Sequence, residues 1–280
     1  MVLLSNSTLN HFKRYPQLVW TLLNIRHHMK EEKYDYPIVI CGGTGNGKSM
    51  FQLHLIELWY RVVMQKDMDA SFICHVKNTR KGWVNNFKLM KALDINSNDE
   101  GADGITSKEG MTRFGRDIQR LYMVIRKKLF FTPILIPDYF DLPLYFRKRV
   151  RGCFYVPKKG QFKYYTMENL KWVNGLNEGK EIKRMEVTHA FFGGTFPDYN
   201  GVLRKPYDDM SNISADVILD EIIRDIDDKS YNTVDEHYDA VKVMIEGGAK
   251  SKEIAETIGL SFRDLAKIRK KMKGEINGVV

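Results

Sequence analysis

Lys48 and Ser49 close a run in which four of the six preceding residues are glycine, Gly42-Gly43-Thr44-Gly45-Asn46-Gly47. Glycine tolerates the φ/ψ values that turn successive backbone N–H groups inward, so such a run builds a concave nest for an anion. An apolar run, Pro37-Ile38-Val39-Ile40-Cys41, stands before it, and Met50-Phe51-Gln52-Leu53 follows. The pattern predicts a strand, a loop and the first turn of a helix. At that helix N-terminus the ammonium of Lys48 adds to the positive end of the dipole, beside a bound phosphate. Ser49 offers its hydroxyl to Mg²⁺. The whole stretch fits Gly-x-x-x-x-Gly-Lys-Ser, a phosphate cradle, and Gly42, Gly43, Thr44, Gly45, Asn46, Gly47, Lys48 and Ser49 are its expected contacts.

Cleaving a polyphosphate also needs a carboxylate in the Mg²⁺ shell and a group to orient the attacking water, both at the end of a strand. Two acidic pairs compete for this role. Asp99-Glu100 follows Ala92 to Asn98, a segment whose Asn and Asp content makes a poor strand, but Gly101-Ala102-Asp103-Gly104 then forms a turn. Asp220-Glu221 follows Val217-Ile218-Leu219, yet Ile213, Val217, Ile218, Ile222, Ile223 and Ile226 recur at helical spacing through it. We favour the first pair, with Asp99 on the metal and Glu100 on the water. Asp138, at the end of Leu129 to Pro137, is the candidate sensor of the γ-phosphate. The basic run Phe146-Arg147-Lys148-Arg149-Val150-Arg151 reads either as a solvated face or as the source of an arginine, Arg149 or a neighbour, that reaches a neighbouring subunit's phosphate.

These groups need a frame. Leu9 to Lys33 reads as a helix, Tyr36 to Cys41 as a strand, Ser49 to Met64 as a second helix and Ser71 to Val76 as a second strand. A strand–helix–strand unit of this kind is parallel and right-handed, with its chemistry at the strand C-termini. His75 falls at one such end, where it is either a ligand contact or a structural residue. Further on come a helix from Thr112 to Lys128, a strand at Gly152 to Val156, and a hairpin turning at Lys158-Lys159-Gly160 into Gln161 to Thr166, with a basic aromatic face suited to tracking DNA. A helix at Glu168 to Val173 and a strand at Met185 to Phe192 follow, and the segment up to Tyr207 carries no assignable chemistry.

Taken together, these parts resemble the FtsK/HerA-type branch of P-loop ATPases, which includes DNA-pumping motors of viruses, conjugative elements and zonula-occludens-toxin-like phage proteins. The resemblance spans Tyr36 to Tyr165 and rests on the phosphate loop, Asp99-Glu100, the long helix, and the strand ending at Pro137-Asp138 with the arginines beyond. Where that family often carries a Gln, this chain has Pro137-Asp138. The resemblance implies an α/β, RecA-like core with a mostly parallel sheet. It also implies ATP and Mg²⁺ as ligands and a homo-oligomer, with a hexameric ring as the candidate assembly.

Asp225 to Asn232 is polar and aperiodic, which puts a boundary between an ATPase domain at 1–230 and a small all-α module at 231–280. In the latter, Ser251 to Ser261 resembles a helix-turn-helix, with Ala255 at the close crossing and Gly259 at the turn. The helix after it carries Arg263, Lys267, Arg269 and Lys270, the expected DNA contacts, although a purely structural helical hairpin has the same pattern. A net charge of +9 and a pI near 9.2 favour a polyanionic partner. Cys41, Cys74 and Cys153 form no Cys-x-x-Cys pair, and no apolar run is long enough for a membrane span or a signal peptide. The expectation is therefore a cytoplasmic, DNA-stimulated ATPase that moves along or moves DNA. The alternative is a nucleotide-switched initiator or regulator.

Overall fold

Along Tyr36–Cys41 (β1) successive side chains point to opposite faces of a sheet, and both faces are apolar. Ile38 and Ile40 enter one core, whereas Val39 and Cys41 enter another. The computed structural model describes residues 11–77, 80–99, 120–121, 123–181, 183–185, 189–213 and 237–277. The chain divides into two units, Met1–Ser211 and Asn212–Val280. That break falls earlier than the polar stretch 225–232, which lies outside the described residues.

The first unit is α/β. Its helices are Pro16–Glu32 (α1), Lys48–Leu58 (α2), Arg80–Leu89 (α3), Leu144–Arg147 (α4) and Met167–Leu176 (α5), with a further helical segment from residue 204 to the end of the unit. With β1, the strands Val76–Lys77 (β2), Ser97–Asn98 (β3), Phe131–Ile136 (β4), Gly152–Tyr155 (β5), Gln161–Thr166 (β6) and Phe192–Thr195 (β7) form one sheet in the order β2-β3-β4-β1-β5-β6-β7. The first five are parallel, and β6 and β7 are antiparallel to their neighbours.

The two cores are the sheet's two faces. On one, α1 sets Leu18, Leu22, Ile25 and Met29 beside Phe51, Leu55 and Trp59 of the segment after the glycine loop. On the other, Trp83 and Phe87 of α3 and Leu170 and Val173 of α5 cover Val39, Ile134 and Cys153. Each fully buried side chain of this kind contributes roughly 1.5–3 kcal/mol. α1 begins with Pro16 at a position where the missing N–H costs nothing. α2 runs on through a π-helical turn, Trp59–Val63, before Gln65 takes a positive φ of 54°.

Two expected strands are corrected. Ala70–His75 is a 3₁₀ turn capped by Asp69, and β2 is only the two residues after it. The late strand is Phe192–Thr195, later than Met185 to Phe192. The helix expected from Thr112 is described only from residue 120, ending in a 3₁₀ turn at Arg126–Lys128.

The second unit has three helices, Tyr238–Glu246 (α6), Ser251–Ile258 (α7) and Phe262–Asn277 (α8). Val241, Ile254, Ala255, Leu260, Leu265 and Ile268 make its own core. Gly259 caps α7 at φ 75°, the left-handed value that favours glycine.

Candidate phosphate-binding site

β1 ends at the middle of the sheet, and its last carbonyl is already committed. Cys41 O accepts from Val156 N at 2.7 Å, and Gly42 N donates to Pro137 O at 3.0 Å, which ties the start of the loop to the ends of both neighbouring strands. Gly42 takes φ 147°, and a Cβ there would lie 2.2 Å from Val156 O, so no other residue fits. Gly47 takes φ 86° as the N-cap of α2. Gly45 is also left-handed, whereas Gly43 is not.

Asn46 fixes the loop from within: its Nδ2 donates to Val156 O at 3.1 Å and to Pro157 O at 3.0 Å. The first-turn amides of α2, those of Lys48 and Ser49 among them, have no intrahelical acceptor. They are the donors an anion would use. Lys48 lies across the loop, with Nζ donating to Gly42 O at 2.6 Å and Gly43 O at 3.0 Å. Burial pulls its pKa down, against the opposing pull of Cys41 and Asp99.

Asp99 follows β3 directly, and its N–H donates to Lys77 O at 2.9 Å. The strand that delivers it is two residues long and polar, and hydrogen bonds hold Ser97 and the Asn96 before it. Gln52 Nε2 of α2 donates to Ser97 Oγ, which donates in turn to Pro133 O at 3.2 Å. Asn96 is held by Asn86 Nδ2 at 3.0 Å and donates to Trp83 O at 3.2 Å. The strand thus survives on hydrogen bonds where propensity is poor.

An open cleft of about 700 Å³ runs between the loop and Asp99 and is also lined by Lys159, Arg204 and Tyr207. Burial pushes the Asp99 carboxyl above its usual range; hydrogen bonds from Tyr207 and Ser49 and the charge of Lys48 act the other way. Asp99 Oδ1 is buried without a hydrogen-bond partner. A hydroxyl and a bare carboxylate oxygen at the mouth of a phosphate nest fit Mg²⁺, which keeps waters and shares phosphate oxygens and needs only one or two protein carboxylates. No group of three or more His, Cys, Asp and Glu near enough for a metal occurs among the described residues.

Of the other expected site residues, Thr44 lines the cleft. Glu100 lies outside the described residues, as do Asp220 and Glu221. Asp138 lies on the far side of Gly42 and Gly43 from the cleft, and its carboxylate caps the turn Tyr139–Asp141 by accepting from Phe140 N at 2.9 Å.

The basic run 147–151 is at the opposite end of the sheet: Arg151 N donates to Pro37 O at the start of β1. Arg149 pairs with the buried Asp35 at 3.0 Å, Arg151 with Glu32 at 3.2 Å, and Arg147 donates to Leu142 O and Asn174 Oδ1. His75 packs its ring at a tilt against Tyr60 and donates through Nδ1 to Ile95 O, a structural role. The hairpin tip brings Lys159 beside Gly47, at the phosphate loop itself. Sequence reasoning missed Tyr207, Arg204 and Lys159 as cleft residues. The spacing Arg204, Tyr207, Asp208 on one helix turn was the available signal, and Arg204 Nε does pair with Asp208 at 2.8 Å.

In the second unit Leu265 and Ile268 face inward, so Arg263, Lys267 and Lys270 lie opposite them on α8. Arg269 does not share that face and has a buried Nε.

No protein-family model matches the chain, and no curated protein matches it. The reading of the site therefore rests on its own geometry.

Proposed function

We propose that this chain is an ATP-hydrolysing, DNA-binding motor with a RecA-like P-loop core, acting as a homo-oligomer, in the cytoplasm of a cell or of a virus's host. The observation that supports it most is the meeting of Lys48, Ser49 and Asp99 at the carboxyl ends of β1 and β3, the crevice where open α/β sheets take ligands. In this reading the loop amides hold the β- and γ-phosphates. Lys48 leaves the Gly42 and Gly43 carbonyls to neutralise charge on the transferred group, and Ser49 and Asp99 hold Mg²⁺. When bound, Mg²⁺ supplies positive charge to phosphate oxygens. Glu100, next along the chain, orients the water. Arg149, Arg147 and Arg151 lie far from their own subunit's loop, so a role on phosphate belongs to a neighbouring subunit.

The DNA half of the proposal rests on the three-helix unit, read as a helix-turn-helix whose third helix carries Arg263, Lys267 and Lys270 outward. Among the described residues no helix is long and apolar enough to cross a membrane.

The test is ATP turnover with and without double-stranded DNA of several sequences. Stimulation by all of them supports a motor, and tight binding to one sequence with little turnover supports a nucleotide-switched initiator or regulator. Absence of turnover under both conditions overturns the enzymatic reading.

A further inference from the structure

Tyr207 stands 108 residues beyond Asp99, yet its hydroxyl donates to Asp99 Oδ2 at 2.5 Å. The carboxylate is thus held by one oxygen, while the other, Oδ1, is buried and has no hydrogen-bond partner. Ser49 lies within hydrogen-bonding reach of both the carboxylate and the phenol. A carboxylate pinned through one oxygen presents the other in a fixed direction. Groups that pin a metal-binding carboxylate in this way commonly govern its affinity as strongly as a ligand does.

We propose that Tyr207 is a positioning residue for the cation site: by holding Oδ2 it aims Oδ1 at a Mg²⁺ shared with Ser49 and the nucleotide phosphates. This rests on the nucleotide-binding reading above. The ring of Tyr207 is buried in the core under the cleft, beside Phe196 and Leu203. Its helix also brings Arg204 to the cleft, where Nη1 of that residue lies against Met50 Sδ, one residue past Ser49. The segment after β7, which carried no readable chemistry in the sequence, therefore supplies part of the site's lining.

The experiment uses the full chain and a fluorescent ATP analogue, with binding followed as Mg²⁺ is titrated and again in excess chelator. Tyr207→Phe keeps the ring and removes the hydroxyl. The half-saturating Mg²⁺ concentration is expected to rise about 10–100-fold, with binding in chelator unchanged. Tyr207→Leu repeats the shift if the phenylalanine variant is poorly folded by circular dichroism. Wild-type Mg²⁺ dependence in both variants would make the hydroxyl a packing group and overturn the proposal. A lower half-saturating Mg²⁺ concentration would overturn it too, because the phenol would then compete with the cation. Failure of the underlying reading looks different: wild-type protein would bind no analogue, or Lys48→Ala would bind it as well as wild type.

Discussion

Lys48 carries a charge where burial disfavours it, and the Gly42 and Gly43 carbonyls, Cys41 and the Asp99 carboxylate act against that. A cation kept half-buried beside unpaired helix-terminal amides is arranged for an anion. Lys48→Ala should lower ATP turnover by about 100-fold or more, roughly 3 kcal/mol of barrier, while the melting temperature changes little. Wild-type rates in a folded variant would remove the catalytic reading.

Arg149 is expected to behave differently, because its guanidinium meets a carboxylate that is only 4% exposed. Arg149→Ala leaves Asp35 as a buried charge and should cost about 3 kcal/mol of stability at pH 7. Burial already raises the Asp35 pKa against the pull of Arg149. Without the arginine, the folded state binds the Asp35 proton more tightly than the unfolded chain does. The loss should therefore shrink as pH falls. Denaturant unfolding at pH 7 and pH 4.5 checks this, and an unchanged midpoint together with lost turnover would return Arg149 to a role on a neighbour's phosphate.

α2 links the phosphate loop to the core, and its far side carries a polar cluster that sequence patterning does not disclose. His54 is buried, meets Phe12 and Tyr199 edge to face, and donates through Nε2 to Pro197 O at 2.9 Å. Burial holds its pKa down at about 4, below the ordinary value of 6.5. The unfolded chain thus takes up the proton first as pH falls. Stability is complete above pH 6.5 and declines from there toward pH 4, by up to ~3 kcal/mol at 1.36 kcal/mol per unit. Urea unfolding of wild type and His54→Gln across that range should show a flatter acid limb in the variant. Parallel curves would assign the acid loss to other groups.

The same element shows what the sequence discloses. The loop was legible because its glycines and lysine are tied to one local geometry. Asp99 was legible through the turn after it, although its strand is held by Asn86, Asn96 and Gln52 and not by β propensity. The segment 70–75 was misread because an apolar run of six does not distinguish a strand from a 3₁₀ turn, and Asp69 decided it by capping Ser71 N. The spacing of Arg204, Tyr207 and Asp208 marks a helix turn, but only the folded sheet brings Tyr207 and Lys159 to the loop.

At the scale of the whole chain, two units each with an apolar core of their own imply separable tasks. Removing residues 233–280 should leave basal ATPase activity in place, because Lys48, Ser49, Asp99 and Tyr207 all belong to the first unit, and should weaken DNA binding. Arg263, Lys267 and Lys270 share the side of α8 away from its core, whereas Lys271 lies over the ring of Tyr238. If each of the three neutralises one phosphate, the slope of log affinity against log salt should fall by about 2.7, at ~0.9 per contact. Charge reversal of Arg263 and Lys267 together should reproduce part of that loss without altering nucleotide affinity. Arg269→Ala, with a guanidinium nitrogen buried against the core, should instead lower the stability of the second unit and leave the salt slope nearly intact. DNA affinity across a salt series decides the matter. An unchanged slope in the truncated protein would make the helical unit an oligomerisation or partner-docking element and move the DNA contact to the first unit, to the exposed Lys158 and Lys159 and the run from Arg147 to Arg151.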